Sequence, residues 1–272
     1  MASESSSPST WGLELARAER ILAEAGISAP HHEAAMLLSR VLRVSIPEML
    51  ARPASPMSQP DVRAYRAWVA RRAAGEALPY ITGHLEFMGL DMAVEPGGPL
   101  IAPGARRVVE TALEWARRRP GGELMAAELG TGCGAVALAL AALEPRFTHI
   151  YAVDASPSVI EVARANGARY LLNLVIGWLR GEGLSAIPEP VDLIVACDLA
   201  WARCEPATEK LRPGGAVICA VAADEKDAAA ERLARCFSGV PLALSWVEDL
   251  DDGIAIAVAS RRLESDEVVP ES

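Results

Sequence analysis

Glu128-Leu129-Gly130-Thr131-Gly132-Cys133-Gly134, running straight into the apolar stretch Ala135 to Leu143, decides how this 272-residue chain folds. Apolar residues 124–129 read as a buried strand, the three alternate glycines as a tight turn, and Ala135 onward as a helix. A second apolar run, Ile150-Tyr151-Ala152-Val153, follows and closes on Asp154. Strand, glycine turn, helix, strand and acid in that order predict a pocket for an adenosine-bearing cofactor. Glycine lets a ligand approach the backbone, and the helix N-terminus offers unpaired N–H groups with a partial positive charge. The expected cofactor-binding residues are Glu128, Gly130, Thr131, Gly132, Gly134 and Asp154. The Asp154 carboxylate suits the two hydroxyls of a ribose, although an N-cap before Pro157, a task open also to Ser156, is the plainer alternative. Glu128 would repel a pyrophosphate and welcome an ammonium, so the ligand is expected to carry an amino-acid moiety.

Outward from this stretch, strands alternate with helices. Candidate strands lie at 124–129, 148–153, 191–196, 215–221, 241–247 and 254–260, with a weaker one at 171–176. Such alternation predicts a parallel sheet covered on both faces. Asp251-Asp252-Gly253 signals a hairpin turn between the last two strands, which makes the final strand antiparallel. An α/β fold with seven strands and the last one reversed is a methyltransferase sheet and not a dehydrogenase sheet. Glu128 and the reversed strand therefore argue against a nucleotide-dependent oxidoreductase.

The residues before it have a different texture. Trp11, Leu15, Ala18, Leu22 and Ala25 recur at helical spacing until Gly26. Ala34, Leu38 and Val41 make a second stripe, Ser45-Ile46-Pro47-Glu48 starts a short third helix, and Val62, Tyr65 and Val69 make a fourth, with Asp61 as its expected N-cap. A helical bundle over 11–79 is the sum. Short extended pieces around Gly83 and Gly89 predict a β-hairpin linker within 80–100, and Arg106 to Arg118 a helix that opens the sheet domain, 101–262. Residues 1–10 and 263–272 are expected to be disordered tails; the first is serine-rich and has no apolar core of a secretory signal.

Composition narrows the function classes. The net charge is −10, which argues against a protein whose main task is gripping nucleic acid. The basic run Arg117-Arg118-Arg119 is explained by its place at a helix C-terminus. The five cysteines, Cys133, Cys197, Cys204, Cys219 and Cys236, form no CxxC, and His31-His32 point to different faces of a helix. Buried thiols in a reducing cytoplasm, no metal site and no membrane span are the expectation.

Several segments carry a resemblance to one family. They are Ala23 to Ile27, Arg71 to Gly83, Glu86-Phe87-Met88-Gly89-Leu90, Leu129 to Leu140 and Val153-Asp154-Ala155-Ser156-Pro157. Over nearly its whole length the chain resembles the release factor glutamine methyltransferases. The resemblance implies S-adenosylmethionine as cofactor, a peptide chain release factor as partner, and methylation of the glutamine amide in its Gly-Gly-Gln loop. The hairpin segment discriminates best, because many methyltransferases share the glycine turn.

The departures from the family are concentrated on the acceptor side. The family's Asn-Pro-Pro-Tyr tetrad holds the flat amide by accepting its hydrogens and packing a ring on its plane. Here residues 191–196 run into Cys197-Asp198-Leu199-Ala200-Trp201. Cys197 falls at the Asn position, and a one-residue shift leaves Asp198 and Trp201 as candidate catalytic residues without either proline. A solvated strand end is the alternative for Asp198. Leu211-Arg212-Pro213-Gly214-Gly215 arrives soon after Trp201, where the family has a long substrate-holding segment. Ala102-Pro103-Gly104-Ala105-Arg106 replaces the family's Arg-Pro-Glu-Thr-Glu, and its adenine-flanking Gly-Asp is matched to Gly177-Trp178. Two functions stay open: a methyltransferase with a degenerate active site, or a catalytically inactive cofactor- or partner-binding protein of the same fold.

Overall fold

The computed structural model describes residues 9–95, 98, 100–197, 208–249 and 253–262. The chain divides into two compact units, one ending at His84 and the other beginning at Leu85.

The first unit is helical: α1 Trp11–Glu24, α2 Pro30–Leu42, α3 Ile46–Ala51, α4 Gln59–Ala73 and the short α5 Leu78–Thr82. Its core gathers the predicted stripes, among them Leu15, Leu22, Ala34, Leu38, Tyr65 and Val69. The N-cap of α4 differs from expectation. Ser58 takes that place and accepts from the Asp61 N–H at 3.2 Å, while its hydroxyl donates to the Asp61 carboxylate at 2.5 Å. Proline after the cap presets the first turn, so the helix starts three residues earlier than Asp61 suggests. Ser9 and Thr10, assigned to a tail from sequence, belong to the fold: Thr10 caps α1 and Ser9 O accepts from Met57 N at 2.8 Å. Ile81 and Thr82 close α5 and do not enter the hairpin.

Glu14 is buried in this unit at 3% exposure, against the rule that carboxylates stay wet. Arg66 explains it by donating Nε and Nη2 to the two oxygens at 2.9 and 2.6 Å, and Ser9 Oγ adds a bond at 2.9 Å. The Arg66 guanidinium holds the Glu14 carboxyl below its usual range, outweighing the opposite pull of burial.

The second unit contains the hairpin β1 His84–Phe87 and β2 Leu90–Ala93, apart from His84 itself. Met88 and Gly89 both adopt positive φ, 51° and 83°, as a two-residue hairpin turn of matching twist requires. Then come α6 Ala105–Arg118, β3 Leu124–Leu129, α7 Ala135–Leu143, β4 Phe147–Asp154, α8 Pro157–Arg169, β5 Ile176–Arg180, β6 Val191–Ala196, β7 Leu211–Ala222, α9 Lys226–Cys236, β8 Leu242–Asp249 and β9 Ile254–Arg261.

The seven-stranded sheet has the order β5-β4-β3-β6-β7-β9-β8. The first five strands pair in parallel, and β9 runs antiparallel to both β7 and β8. The expected seven-stranded α/β sheet with its last strand reversed is thus the observed one. Alternate residues of each strand enter different cores. Ala126, Leu193 and Ile218 share one with α6, α7 and α8, while Ala127, Ile194 and Val217 share the other with α9. Two buried faces explain why these strands read as continuous apolar runs.

Two strands differ from the sequence reading by more than two residues. The weak strand at 171–176 is displaced to Ile176–Arg180, because Leu172–Leu174 forms a 3-10 turn entered through Leu171 at φ 58°. β7 begins at Leu211 and not at 215: Leu211 pairs with Val191, and after a register shift Ala216 pairs with Leu193. Near the starts of β3, β6 and β7 the Asp192 carboxylate accepts from Met125 N at 2.9 Å and Arg212 Nη1 at 3.0 Å. Of the predicted final hairpin turn, Asp251 and Asp252 lie outside the described residues, and Gly253 adopts φ 66°.

Candidate cofactor site

The glycine turn sits where β3, β4 and β6 end together. Leu129 lies beside Val153 on one side and Ala196 on the other. Gly130 and Thr131 both donate their N–H to Val153 O, at 2.9 and 3.0 Å, so the chain hooks over the end of β4 as it leaves the sheet. Gly130, Gly132 and Gly134 have φ of 76°, 57° and 88°. L side chains resist these values, which is the physical reason for the spacing. At Gly134 a Cβ would also come within 3.0 Å of the Trp178 ring and 3.3 Å of Ala163. At Gly130 a Cβ would meet nothing within 4 Å among the described residues, so the backbone there faces space that those residues leave open.

Glu128 lies directly under the turn at 3% exposure. Its Oε2 accepts from Thr131 Oγ1 at 2.6 Å and from the Ala137 N–H at 2.9 Å, which ties the strand to the first turn of α7. Burial pushes its pKa up to about 8, against the pull of those two bonds, and the charge of Asp154 adds to the rise. Among the described residues no cation offsets the burial, unlike at Glu14. Thr131, also buried, serves by holding this carboxyl.

Asp154 ends β4 on the rim of the turn. Its Oδ2 accepts from Gly132 N at 3.2 Å and its Oδ1 from Ser156 N at 3.0 Å. The residue at the N-cap of α8 is Ser156, whose side chain makes no capping bond. A carboxylate has about four acceptor positions, so the two backbone bonds leave capacity on both oxygens. The structure therefore gathers Glu128, Gly130, Thr131, Gly132, Gly134 and Asp154 into one continuous patch at the C-terminal edge of the sheet. Open α/β sheets bind ligands at that edge, where the strand order reverses.

Cys133 is part of the turn but points into the core. Burial, assisted by the charge of Glu128, pushes its thiol up to about 11, so it is no nucleophile at neutral pH. Trp178 lies in the core. It is buried inside β5, packed between Gly134 and Gly167, with Nε1 donating to Asn173 Oδ1 at 2.8 Å. The glycine–acid pair at the end of that strand is Gly181-Glu182, whose Gly181 N–H donates to Asp154 O at 3.0 Å. Gly177-Trp178, matched in sequence to the family's Gly-Asp, stands four residues earlier, inside the strand. The alternation of Ile176 and Trp178 as inward residues was the signal that the strand continued.

On the acceptor side, Cys197 follows β6 directly and is half-buried. The candidate catalytic residues Asp198 and Trp201 lie outside the described residues. Among the described residues, no group of three or more His, Cys, Asp or Glu side chains is placed to hold a metal ion. No described helix is long and apolar enough to cross a membrane.

Residues 15–83 match the family model of the PrmC N-terminal domain. A release factor glutamine methyltransferase of Moorella thermoacetica is 38% identical over 175 residues, covering 64% of this chain and 60% of that protein. This chain therefore spans about three-fifths of that relative's length in the match. A methyltransferase structure from Pyrococcus furiosus aligns with a TM-score of 0.48 at 18% identity, over 73% of this chain and 98% of that one. A release factor glutamine methyltransferase of Bordetella pertussis is 35% identical over 227 residues, covering 81% of this chain and 79% of that protein. With a match of that identity across most of both proteins, the chain belongs to the release factor glutamine methyltransferase family.

Proposed function

We propose that the chain binds S-adenosylmethionine at the Glu128–Gly134 turn and methylates the glutamine amide nitrogen of a peptide chain release factor. The observation that carries this reading is the turn itself: three left-handed glycines, open space at Gly130, and Asp154 on the rim. These features fit the cofactor's parts. Gly130 and Gly132 let the ligand lie on the backbone, and the free acceptor capacity of Asp154 matches a ribose diol. Among the described residues Glu128 Oε1 takes no hydrogen bond, since both bonds fall on Oε2, so it is the oxygen for an ammonium group. Glu182, at the end of β5, is the acid that would take the purine's exocyclic amine.

The bound cofactor supplies a methyl group on a positively charged sulfur. The chain's own task is to orient the acceptor, because an amide nitrogen is a weak nucleophile whose lone pair is delocalised. Asp198 would accept an amide hydrogen and Trp201 would cover the amide plane. On methylation the amide nitrogen would give up one proton, and the Asp198 carboxylate that accepts an amide hydrogen would be the group to take it.

A second reading has its own support. Cys197 stands where the family has Asn, and both prolines of the tetrad are absent. A cofactor- or partner-binding protein without transfer fits those losses. Calorimetry with S-adenosylhomocysteine, followed by mass spectrometry of a release factor incubated with chain and S-adenosylmethionine, separates the outcomes. Binding and one added methyl on the Gly-Gly-Gln peptide are expected. Binding with an unmodified, folded release factor selects the second reading, and no binding sinks both cofactor readings.

A further inference from the structure

We propose that Asn166, on α8, is a positioning residue that sets the ligand turn from behind and ties it to the hairpin. Its side chain is fully buried, at 0% exposure. Oδ1 accepts from Ala93 N at 2.8 Å, and Nδ2 donates to Ala93 O at 2.9 Å and to Cys133 O at 3.0 Å. One amide thus pairs with both backbone groups of the last β2 residue, as a neighbouring strand would, and spends its other donor on the turn. Only a primary amide has an acceptor and two donors in that arrangement.

The bond to Cys133 O acts on the turn through peptide planarity. The Cys133 carbonyl and the Gly134 N–H share one rigid plane, so fixing the first orients the second. Gly134 N donates inward to Thr131 O at 2.9 Å, and Thr131 Oγ1 in turn holds Glu128. The plane is therefore gripped from outside by Asn166 and from inside by Thr131. Without the outer bond, a glycine-rich segment with left-handed residues on both sides of Cys133 has little to prevent that plane from rotating.

Tyr170 provides the contrast. It also ties the hairpin to the end of α8, accepting from Asp91 N at 2.6 Å and donating to Asp91 O at 2.9 Å, but it makes no bond to the turn. If both residues merely anchor the hairpin, their loss should have the same signature.

The inference rests on the cofactor reading for its consequence, but its structural half is testable without ligand. Asn166→Asp keeps the acceptor for Ala93 N and removes the donors; Tyr170→Phe removes only the hairpin tie. In the ligand-free protein, amide exchange at Gly132 and Gly134 is expected to accelerate about tenfold or more in Asn166→Asp, the loss of roughly one buried hydrogen bond, and to stay unchanged in Tyr170→Phe. The dissociation constant for S-adenosylhomocysteine should rise by about the same factor in the first variant alone. Should Asn166→Asp fail to fold, the smaller, uncharged Asn166→Ser takes its place. Wild-type exchange at Gly132 and Gly134 in a folded Asn166 variant would overturn the inference. So would equal acceleration in Tyr170→Phe. A wild-type chain that binds no S-adenosylhomocysteine would overturn the cofactor reading instead, and the exchange comparison would still judge Asn166.

Discussion

Glu14 in the helical unit and Glu128 in the sheet unit are equally buried, at 3% exposure each, and are treated in opposite ways. Glu14 has a guanidinium on both oxygens and is held ionised. Glu128 has a hydroxyl and an N–H on one oxygen, no cation among the described residues, and a pKa raised to about 8. The difference separates a carboxylate that completes a fold from one kept short of a partner. A buried acid without a cation lowers stability in the empty protein, and such residues concentrate where a charged ligand arrives.

The largest expected break in this comparison is at Arg66. Arg66→Met leaves the Glu14 charge buried and unpaired, and should cost about 3 kcal/mol in chemical denaturation. Adding Glu14→Gln to that variant should recover a good part of the loss. If Arg66→Met is as stable as wild type, Glu14 is not held by this pair.

The pH dependence sharpens the contrast. Glu14, with its folded pKa below the ordinary 4.5, contributes stability that is present above 4.5 and fades as pH falls through the lowered value. Glu128 behaves the other way. Between 4.5 and about 8 the folded protein keeps a proton that the unfolded chain has released, so stability falls as pH rises through that window. Glu128→Gln mimics the protonated form and keeps an acceptor for Thr131 and Ala137. It should match wild type near pH 5 and exceed it by about 2 kcal/mol at alkaline pH, as followed by thermal midpoints. The same variant should bind S-adenosylhomocysteine more weakly. Parallel stability curves for the two proteins from pH 5 to 9 would contradict the raised pKa.

The smallest effect concerns the glycines. Gly130→Ala and Gly134→Ala both force alanine into left-handed backbone, which costs about 1 kcal/mol. Only Gly134→Ala also drives a methyl toward Trp178, so it should lower the denaturation midpoint further. Gly130→Ala should retain most of its stability and lose ligand affinity, because its methyl enters open space where the ligand is expected. Equal midpoints would mean that Trp178 yields at no cost.

Much of this was legible in the sequence because it depended on local period and spacing. The five N-terminal helices less the shortest, the buried parallel strands, the reversed last strand and the ligand turn each left a one-dimensional pattern. The failures had physical causes of their own. Ser58 rather than Asp61 caps α4 because a serine hydroxyl and an acid three residues on act as a pair, and either alone suggests a start. Gly177-Trp178 aligns with the family's adenine-flanking pair because a displaced strand shifts which residues reach its end. Asn166 left no signal at all, since a lone asparagine inside a helix usually faces solvent.

The sequence alone determined the layered α/β sheet and the left-handed turn, because hydrophobic period and glycine tolerance act between neighbours along the chain. Only the tertiary structure decided what the polar residues do. Glu14 and Arg66, Asn166 and Cys133, and Glu128 beneath its own turn meet through packing of elements distant in sequence or folded back on themselves. A carboxyl's charge depends on which donors and how much water packing leaves around it, and no linear pattern encodes that environment.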